Sequence, residues 1–176
     1  RLELQLLLED FRTKQAQLET ITQVLEAETL KVPNVEKLLA IKGVGLITAA
    51  GFLAEVGEVG RFDSPKQIQK LAGLELKENS SGKHKGRTSI SKRGRKRLRR
   101  VLFQAVLPLI RSNAEFREVY EYYTTRQSNP LKGKQAVVAV GCKLIRIFYA
   151  ILTKGIDYDA NRLRSDILRP EQRRAA

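Results

Sequence analysis

Leu4, Phe11, Leu18, Leu25 and Val32 recur at strict seven-residue spacing, with Leu7 and Ile21 at the companion position three residues on. Residues seven apart fall on one line only when the chain is helical, and a seam of this kind is the register of a coiled coil. Lys14 and Glu28 also fall on the companion position and weaken the seam, which favours one particular partner over indiscriminate self-association. An amphipathic helix packed on its own domain would satisfy the same spacing. Pro33-Asn34 ends the pattern. The reading is a coiled-coil helix over residues 1–32, with a homo-oligomer formed through it.

The remainder of the chain must supply the core. With 176 residues, of which 42% are hydrophobic and 30% charged, the chain can fold one ordinary domain plus an appendage. Val35 to Gly57 reads as an apolar helix, a turn at Lys42-Gly43-Val44-Gly45 and a second helix from about Leu46 carrying the small residues Ala49, Ala50 and Gly51. That is the pattern of a helix-hairpin-helix: glycines permit a tight turn, and backbone N–H groups at the start of the second helix can grip a phosphate. Lys42, Gly43, Gly45 and Thr48 are the candidate contacts. An αα-hairpin with close packing at Ala49 and Gly51 fits the same residues. Further on, Pro65 to Leu71, the stretch from Arg95 to Ile110, Ala114 to Thr124 and Ala136 to Thr153 read as helices, with a kink expected at Pro108. Phe116, Val119, Tyr120 and Tyr123 take helical spacing, which favours core packing of the tyrosines over stacking on bases. No βαβ pattern appears, so the fold class is mainly α. An N-terminal coiled-coil helix precedes a compact helical domain at 33–156 that holds the hairpin and a basic serine loop, and 157–176 forms a charged tail.

The charge is concentrated. Between Lys77 and Arg100 eleven Lys/Arg stand against the single acid Glu78, a net +10 of the formal +14. Such clustering favours a polyanionic partner, nucleic acid first and an anionic membrane surface second. The best apolar run, Ala136 to Leu152, is broken by Lys143 and Arg146, which argues against a membrane. One cysteine, Cys142, and one histidine, His84, exclude a disulfide framework and a Cys/His zinc site within this chain. The cytoplasm fits best. Within the block, Asn79-Ser80-Ser81-Gly82 is a turn signal, Lys83 to Arg87 a basic loop, and Ser91-Lys92-Arg93-Gly94 leads into a cationic helix. Candidate nucleic-acid contacts are therefore Lys83, His84, Lys85, Arg87, Lys92, Arg93, Arg95, Lys96, Arg99 and Arg100.

The segments IKGVGLITAAGFLAEVGEVGRF, LAGLELKENSSG, ISKRGRKRLRRVL and LKGKQAVVAVGCKLIRIFYAIL, in that order, resemble the C-terminal domain of the IS-one-ten type of bacterial insertion-sequence transposases, relatives of the pilin-gene invertase. The likeness covers about 38–152. It implies a DNA recombinase whose serine nucleophile, in a Ser-Gly pair after Ala-Gly-Leu, carries over to Ser81 through Ala72-Gly73-Leu74 and Ser81-Gly82. It also implies a structured guide RNA as partner beside DNA, and an upstream RuvC-like domain with an Asp/Glu/Asp/Asp set holding Mg2+. Leu76 stands where that family usually has proline, and Arg95 where it often has asparagine.

The residues support such chemistry independently. A serine hydroxyl can attack a phosphodiester, keep its energy in a phosphoserine link and pass the strand on without ATP. It needs a proton acceptor or metal and cations near the phosphoryl oxygens. Lys83, His84, Lys85 and Arg87 are the nearest cations, and His84 can move a proton. Ser80 is the rival nucleophile, and an ordinary turn accounts for Ser80-Ser81-Gly82 by itself. Glu55, Glu58, Asp63, Asp157, Asp159 and Asp166 show no spacing for a two-metal cluster, so no cofactor is assigned to this chain. The expectation is a coiled coil plus C-terminal domain cut from a longer recombinase, holding part of the active site. The alternative is a non-catalytic helix-hairpin-helix module that binds nucleic acid.

Overall fold

The computed structural model describes residues 2–77, 80–81, 84–85, 88–165 and 167, with the backbone alone at Ser80, Ser81, His84 and Lys85. The fold is mainly helical. Helix α1 (Leu2–Leu30) is followed by α2 (Val35–Leu39), α3 (Leu46–Val56), a 3-10 turn at Val59–Arg61 and α4 (Pro65–Leu71). Four two-residue strands come next: β1 (Leu76–Lys77), β2 (Ser80–Ser81), β3 (His84–Lys85) and β4 (Ser89–Ile90). Helices α5 (Lys96–Ser112), α6 (Ala114–Thr125), α7 (Gly133–Lys154) and α8 (Ala160–Ser165) complete the described chain.

Helix α1, about 43 Å long at helical rise, touches the domain only near its C-terminal end, where Thr29 is buried and Leu25 and Val32 are half-buried. Its remaining seam lies in solvent: Leu4, Phe11, Leu18 and Ile21 are all more than 60% exposed. Asn34, with a left-handed φ of +64°, turns the chain into α2. That helix is a single turn and more, shorter than the apolar run suggests.

The domain is built around α5 and α7. Leu98, Leu102, Ala105, Val106 and Leu109 form the buried face of α5, and Val140, Leu144, Phe148 and Ile151 that of α7. The two pack at Gly141, where a Cβ would make an ordinary contact of 3.7 Å with Val106. Phe148 meets Phe52 of α3 edge-on at 5.0 Å between ring centroids, a favourable arrangement of the ring quadrupoles. Helix α5 continues through Pro108 to Ser112. Helix α7 is long and apolar enough to cross a membrane, but half of its apolar window is buried inside the fold. Lys143, which breaks the apolar run in the sequence, is only 5% exposed; the buried side of α7 is wider than its charges suggest because α4, α5 and α6 all pack on it.

Helix α3 runs antiparallel to α5. At one end a Cβ on Gly43 would meet Ser112 Oγ at 2.7 Å; midway, a Cβ on Gly51 would meet Val101 at 3.2 Å; at the other end the Arg95 guanidinium donates to the Glu55 carbonyl. The small residues of α3 thus serve close packing, as one of the two sequence readings holds. The C-terminal stretch also joins the domain: Leu163 of α8 is buried, Tyr158 stacks on Phe116 at 6.1 Å, and Arg164 makes a two-pronged ion pair with Glu118 of α6.

Candidate nucleic-acid interface

The cationic segment is held by the junction of α4 and α5. The Arg95 amide donates to the Leu71 carbonyl at 2.7 Å, the Lys92 amide to the Gly73 carbonyl at 2.9 Å and the Ser91 amide to the Glu75 carbonyl at 2.7 Å. Gly94, at φ +150°, crosses so close to the Leu71 carbonyl that a Cβ would collide with it. From this crossing the chain rises as paired strands, Leu76 opposite Ile90 and Lys77 opposite Ser89. A second ladder nests beyond the first, with Ser80 opposite Lys85 and Ser81 opposite His84.

Sequence reasoning suggests a turn at 79–82 and a basic loop at 83–87. The structure instead gives Ser80–Ser81 and His84–Lys85 as paired strands. Backbone pairing thus overrides the turn preference of the serines. Ser81 and His84, named separately as nucleophile and proton carrier, occupy directly opposed register positions. Gly82, Lys83 and Arg87 lie outside the described residues, as do the side chains of Ser81, His84 and Lys85.

The cations at the start of α5 divide into two groups. Arg95, besides its bond to Glu55, is exposed, and Arg99 is half-buried and donates to the Ala72 carbonyl at 2.8 Å. These carbonyls end α3 and α4, where a cation satisfies an unpaired acceptor and complements the helix dipole. Lys92, Arg93, Lys96, Arg97 and Arg100 are exposed, and none has an acidic partner among the described residues. Arg97 escaped the sequence-based set of contacts. Helical periodicity could have found it, since Leu98 and Leu102 fix the buried face and leave Arg97 opposite.

The second cluster of candidates, Lys42, Gly43, Gly45 and Thr48, surrounds the start of α3. Gly43 holds a left-handed φ of +97° and packs on α5. Gly45 caps α3 in extended conformation and has open space where a Cβ would be. The Thr48 and Ala49 amides already donate to the Gly45 carbonyl at 3.0 and 3.1 Å, so the amides preceding them are those that face outward without a helical acceptor. Buried Asn113 anchors the turn: its Nδ2 donates to the Lys42 carbonyl at 3.1 Å, while its Oδ1 accepts from the Glu115 and Phe116 amides at the start of α6. Lys42 itself is exposed. The turn and the cationic crossing therefore lie at opposite ends of α5 and do not form one patch.

Two further groups belong to the core. Tyr120 and Tyr123 are half-buried against it, as their spacing suggests. Cys142 is half-buried, and burial pushes its thiol above the usual range, which makes it a poor nucleophile. Among the described residues no three His, Cys, Asp or Glu side chains come together in a way that could hold a metal ion.

Residues 35–121, from the start of α2 into α6, match the Transposase IS116/IS110/IS902 family. The chain is similar to a probable family 20 transposase of Pseudomonas aeruginosa, 24% identical over 150 residues that make up 85% of this chain and 44% of that protein. It is 29% identical to the pilin gene-inverting protein of Moraxella bovis over 124 residues, 69% of this chain and 38% of that protein. A putative transposase of Sinorhizobium fredii is 43% identical over 67 residues, 38% of this chain and 17% of that protein. The chain spans less than half the length of these curated relatives.

Proposed function

We propose that the chain is part of a DNA transposase or recombinase in which Ser81 is the nucleophile and the surrounding cations hold the scissile strand. The observation that supports this most is the opposed register of Ser81 and His84 in β2 and β3, in the same segment of sequence as the exposed cations Lys92, Arg93, Lys96, Arg97 and Arg100 and within the stretch that matches the transposase family. Ser81 Oγ attacks the phosphorus, a serine–phosphate ester forms, and the bond to one deoxyribose oxygen breaks. His84, opposed to Ser81 in register, accepts the serine proton and returns it to the departing oxygen. Attack by the hydroxyl of another strand reverses these steps and completes an exchange without ATP. Mg2+ in a RuvC-like domain belongs to the same proposal. The described residues of this chain offer no set that fits such an ion, and every step above runs on the chain's own side chains.

The exposed seam of α1 supports a homo-oligomer formed through that helix, because apolar side chains in water at this density are stabilised by a partner. The outward amides at the start of α3 and exposed Lys42 suit a phosphate backbone, of DNA or of a structured guide RNA, without reading its sequence. Activity on DNA places the protein in the cytoplasm.

The test uses the full-length protein with its DNA and, where needed, its RNA. Ser81→Ala abolishes a covalent protein–DNA adduct while leaving DNA affinity nearly unchanged, and Ser80→Ala keeps the adduct. His84→Gln slows adduct formation. An adduct that survives Ser81→Ala overturns the nucleophile assignment. Cleavage indifferent to both serines leaves a binding module.

A further inference from the structure

The turn before α3 and the cationic crossing before α5 are separated by the length of α5, and the surface of that helix joins them. Leu98, Leu102, Ala105, Val106 and Leu109 face the core. At 100° per residue, Arg97, Arg100, Gln104 and Arg111 then share the opposite face, and all four are exposed. Lys96 flanks them at the near end. No acidic residue occurs anywhere in α5. Arg111 is the cation no motif singles out. Its backbone carbonyl accepts from Arg117, but its side chain has no partner among the described residues. It stands next to Ser112, whose Oγ borders Gly43.

We propose that the solvent face of α5 is a docking rail for one DNA duplex, with Lys96, Arg97 and Arg100 holding phosphates at one end and Arg111 holding a phosphate at the other, beside the turn before α3. This rests on the nucleic-acid-binding reading above and extends it to a residue and a footprint. Arg97 and Arg111 are fourteen residues apart, about 21 Å at helical rise, which is the length of about six base pairs. A single free phosphate or a short loop cannot touch both ends. The middle of the rail is Gln104, with Phe103 and Leu107 each 39% exposed at its margin. A polar amide and modest apolar surface tolerate a passing backbone but add no charge, so the two ends carry the electrostatics. An anionic membrane is the poorer fit, because this face of α5 offers it only the modest apolar surface of Phe103, Leu107 and exposed Pro108.

The experiment measures binding of the whole chain to a twenty-base-pair duplex by fluorescence anisotropy across a range of salt. Each phosphate contact contributes about 0.9 to the slope of log affinity against log salt. Arg111→Gln lowers that slope by about this amount and Arg111→Lys restores it, while Lys96→Gln, Arg97→Gln and Arg100→Gln combined lower it by about three times as much. Lys154→Gln, an exposed cation in the last turn of α7, removes the same charge elsewhere and leaves the slope unchanged. Arg111 also complements the C-terminal end of the α5 dipole; that role alone moves the melting temperature and not the slope. If Arg111→Gln behaves like Lys154→Gln while the triple variant still loses slope, the rail is overturned and the binding reading stands. If the wild-type chain binds duplex without salt dependence, the binding reading itself falls. Tighter capture by phosphatidylserine vesicles than by duplex, with the same dependence on Arg111, overturns DNA as the occupant.

Discussion

The two ends of this chain reverse what their compositions suggest. The N-terminal helix α1 is rich in leucine, yet Leu4, Leu7, Phe11, Leu18 and Ile21 stand more than 60% exposed. The C-terminal stretch from Asp157 is rich in charge, yet Tyr158 stacks on Phe116, Leu163 is buried and Arg164 clasps Glu118. The difference lies in available partners. By the time α8 reaches the domain, α6 and α7 offer it an apolar floor and an acid, whereas α1 carries Leu2 to Ile21, about 30 Å of helix, beyond residues it could pack against. Apolar content creates a demand for burial, and only a surface of matching shape meets it.

Leu163→Ala strikes the docked end hardest. A leucine buried to this degree costs about 2–5 kcal/mol on truncation, so chemical denaturation should show a clear loss of stability. A loss under about 0.5 kcal/mol would mean that α8 is an appendage after all.

Tyr158→Phe sharpens the contrast in the opposite direction. The Tyr158 hydroxyl is buried without a hydrogen-bond partner, and removing an unsatisfied polar atom should stabilise the fold by about 1 kcal/mol. Burial foremost, aided by the negative charge of Glu115, pushes this phenol up to about 12. The folded state therefore favours its protonated form: this stability is complete below the usual value of about 10 and is lost as pH rises toward 12. Tyr158→Phe should flatten the alkaline limb of a pH–stability curve, and an unchanged limb would contradict the burial of the hydroxyl.

Glu118→Gln tests the clasp. The hydrogen bond from Arg164 foremost, opposed by slight desolvation, holds the Glu118 carboxyl below its usual range. Its contribution is present above about pH 4.3 and disappears as pH falls through the depressed value. Both partners are substantially exposed, so screening limits the loss to under about 1 kcal/mol. High salt should shrink it further in the same denaturation assay.

Leu18→Asp should have the smallest effect on the fold and a decisive one on assembly. Leu18 is 65% exposed, so thermal unfolding of the monomer should shift within about 0.5 kcal/mol. Light scattering should show a lower mass if α1 pairs with a second copy. A large destabilisation of the monomer would place Leu18 against the domain and break the comparison.

Helix positions were largely legible in the sequence. Pro65 marks the start of α4, because a first-turn proline acts locally. The core spacing of Phe116, Val119, Tyr120 and Tyr123 was legible for the same reason. Less legible were the paired strands through Ser81: two-residue ladders leave no periodicity to read, and the register that opposes Ser81 to His84 comes from backbone pairing. The split among the arginines was invisible too, since Arg95 and Arg97 are chemically identical until one of them meets a helix end.

The sequence by itself determined that α1 is helical with an apolar seam, that charge gathers between Lys77 and Arg100, and that a glycine turn precedes α3, because each depends on periodicity, composition or φ preference within a few residues. Tertiary structure alone decided that Arg95 and Arg99 cap α3 and α4, that Lys143 is buried, and that the glycine turn and the cationic crossing stand at opposite ends of α5. Those outcomes depend on which helix ends and faces meet across dozens of residues, and the antiparallel packing of α3 on α5 is the contact that sets them.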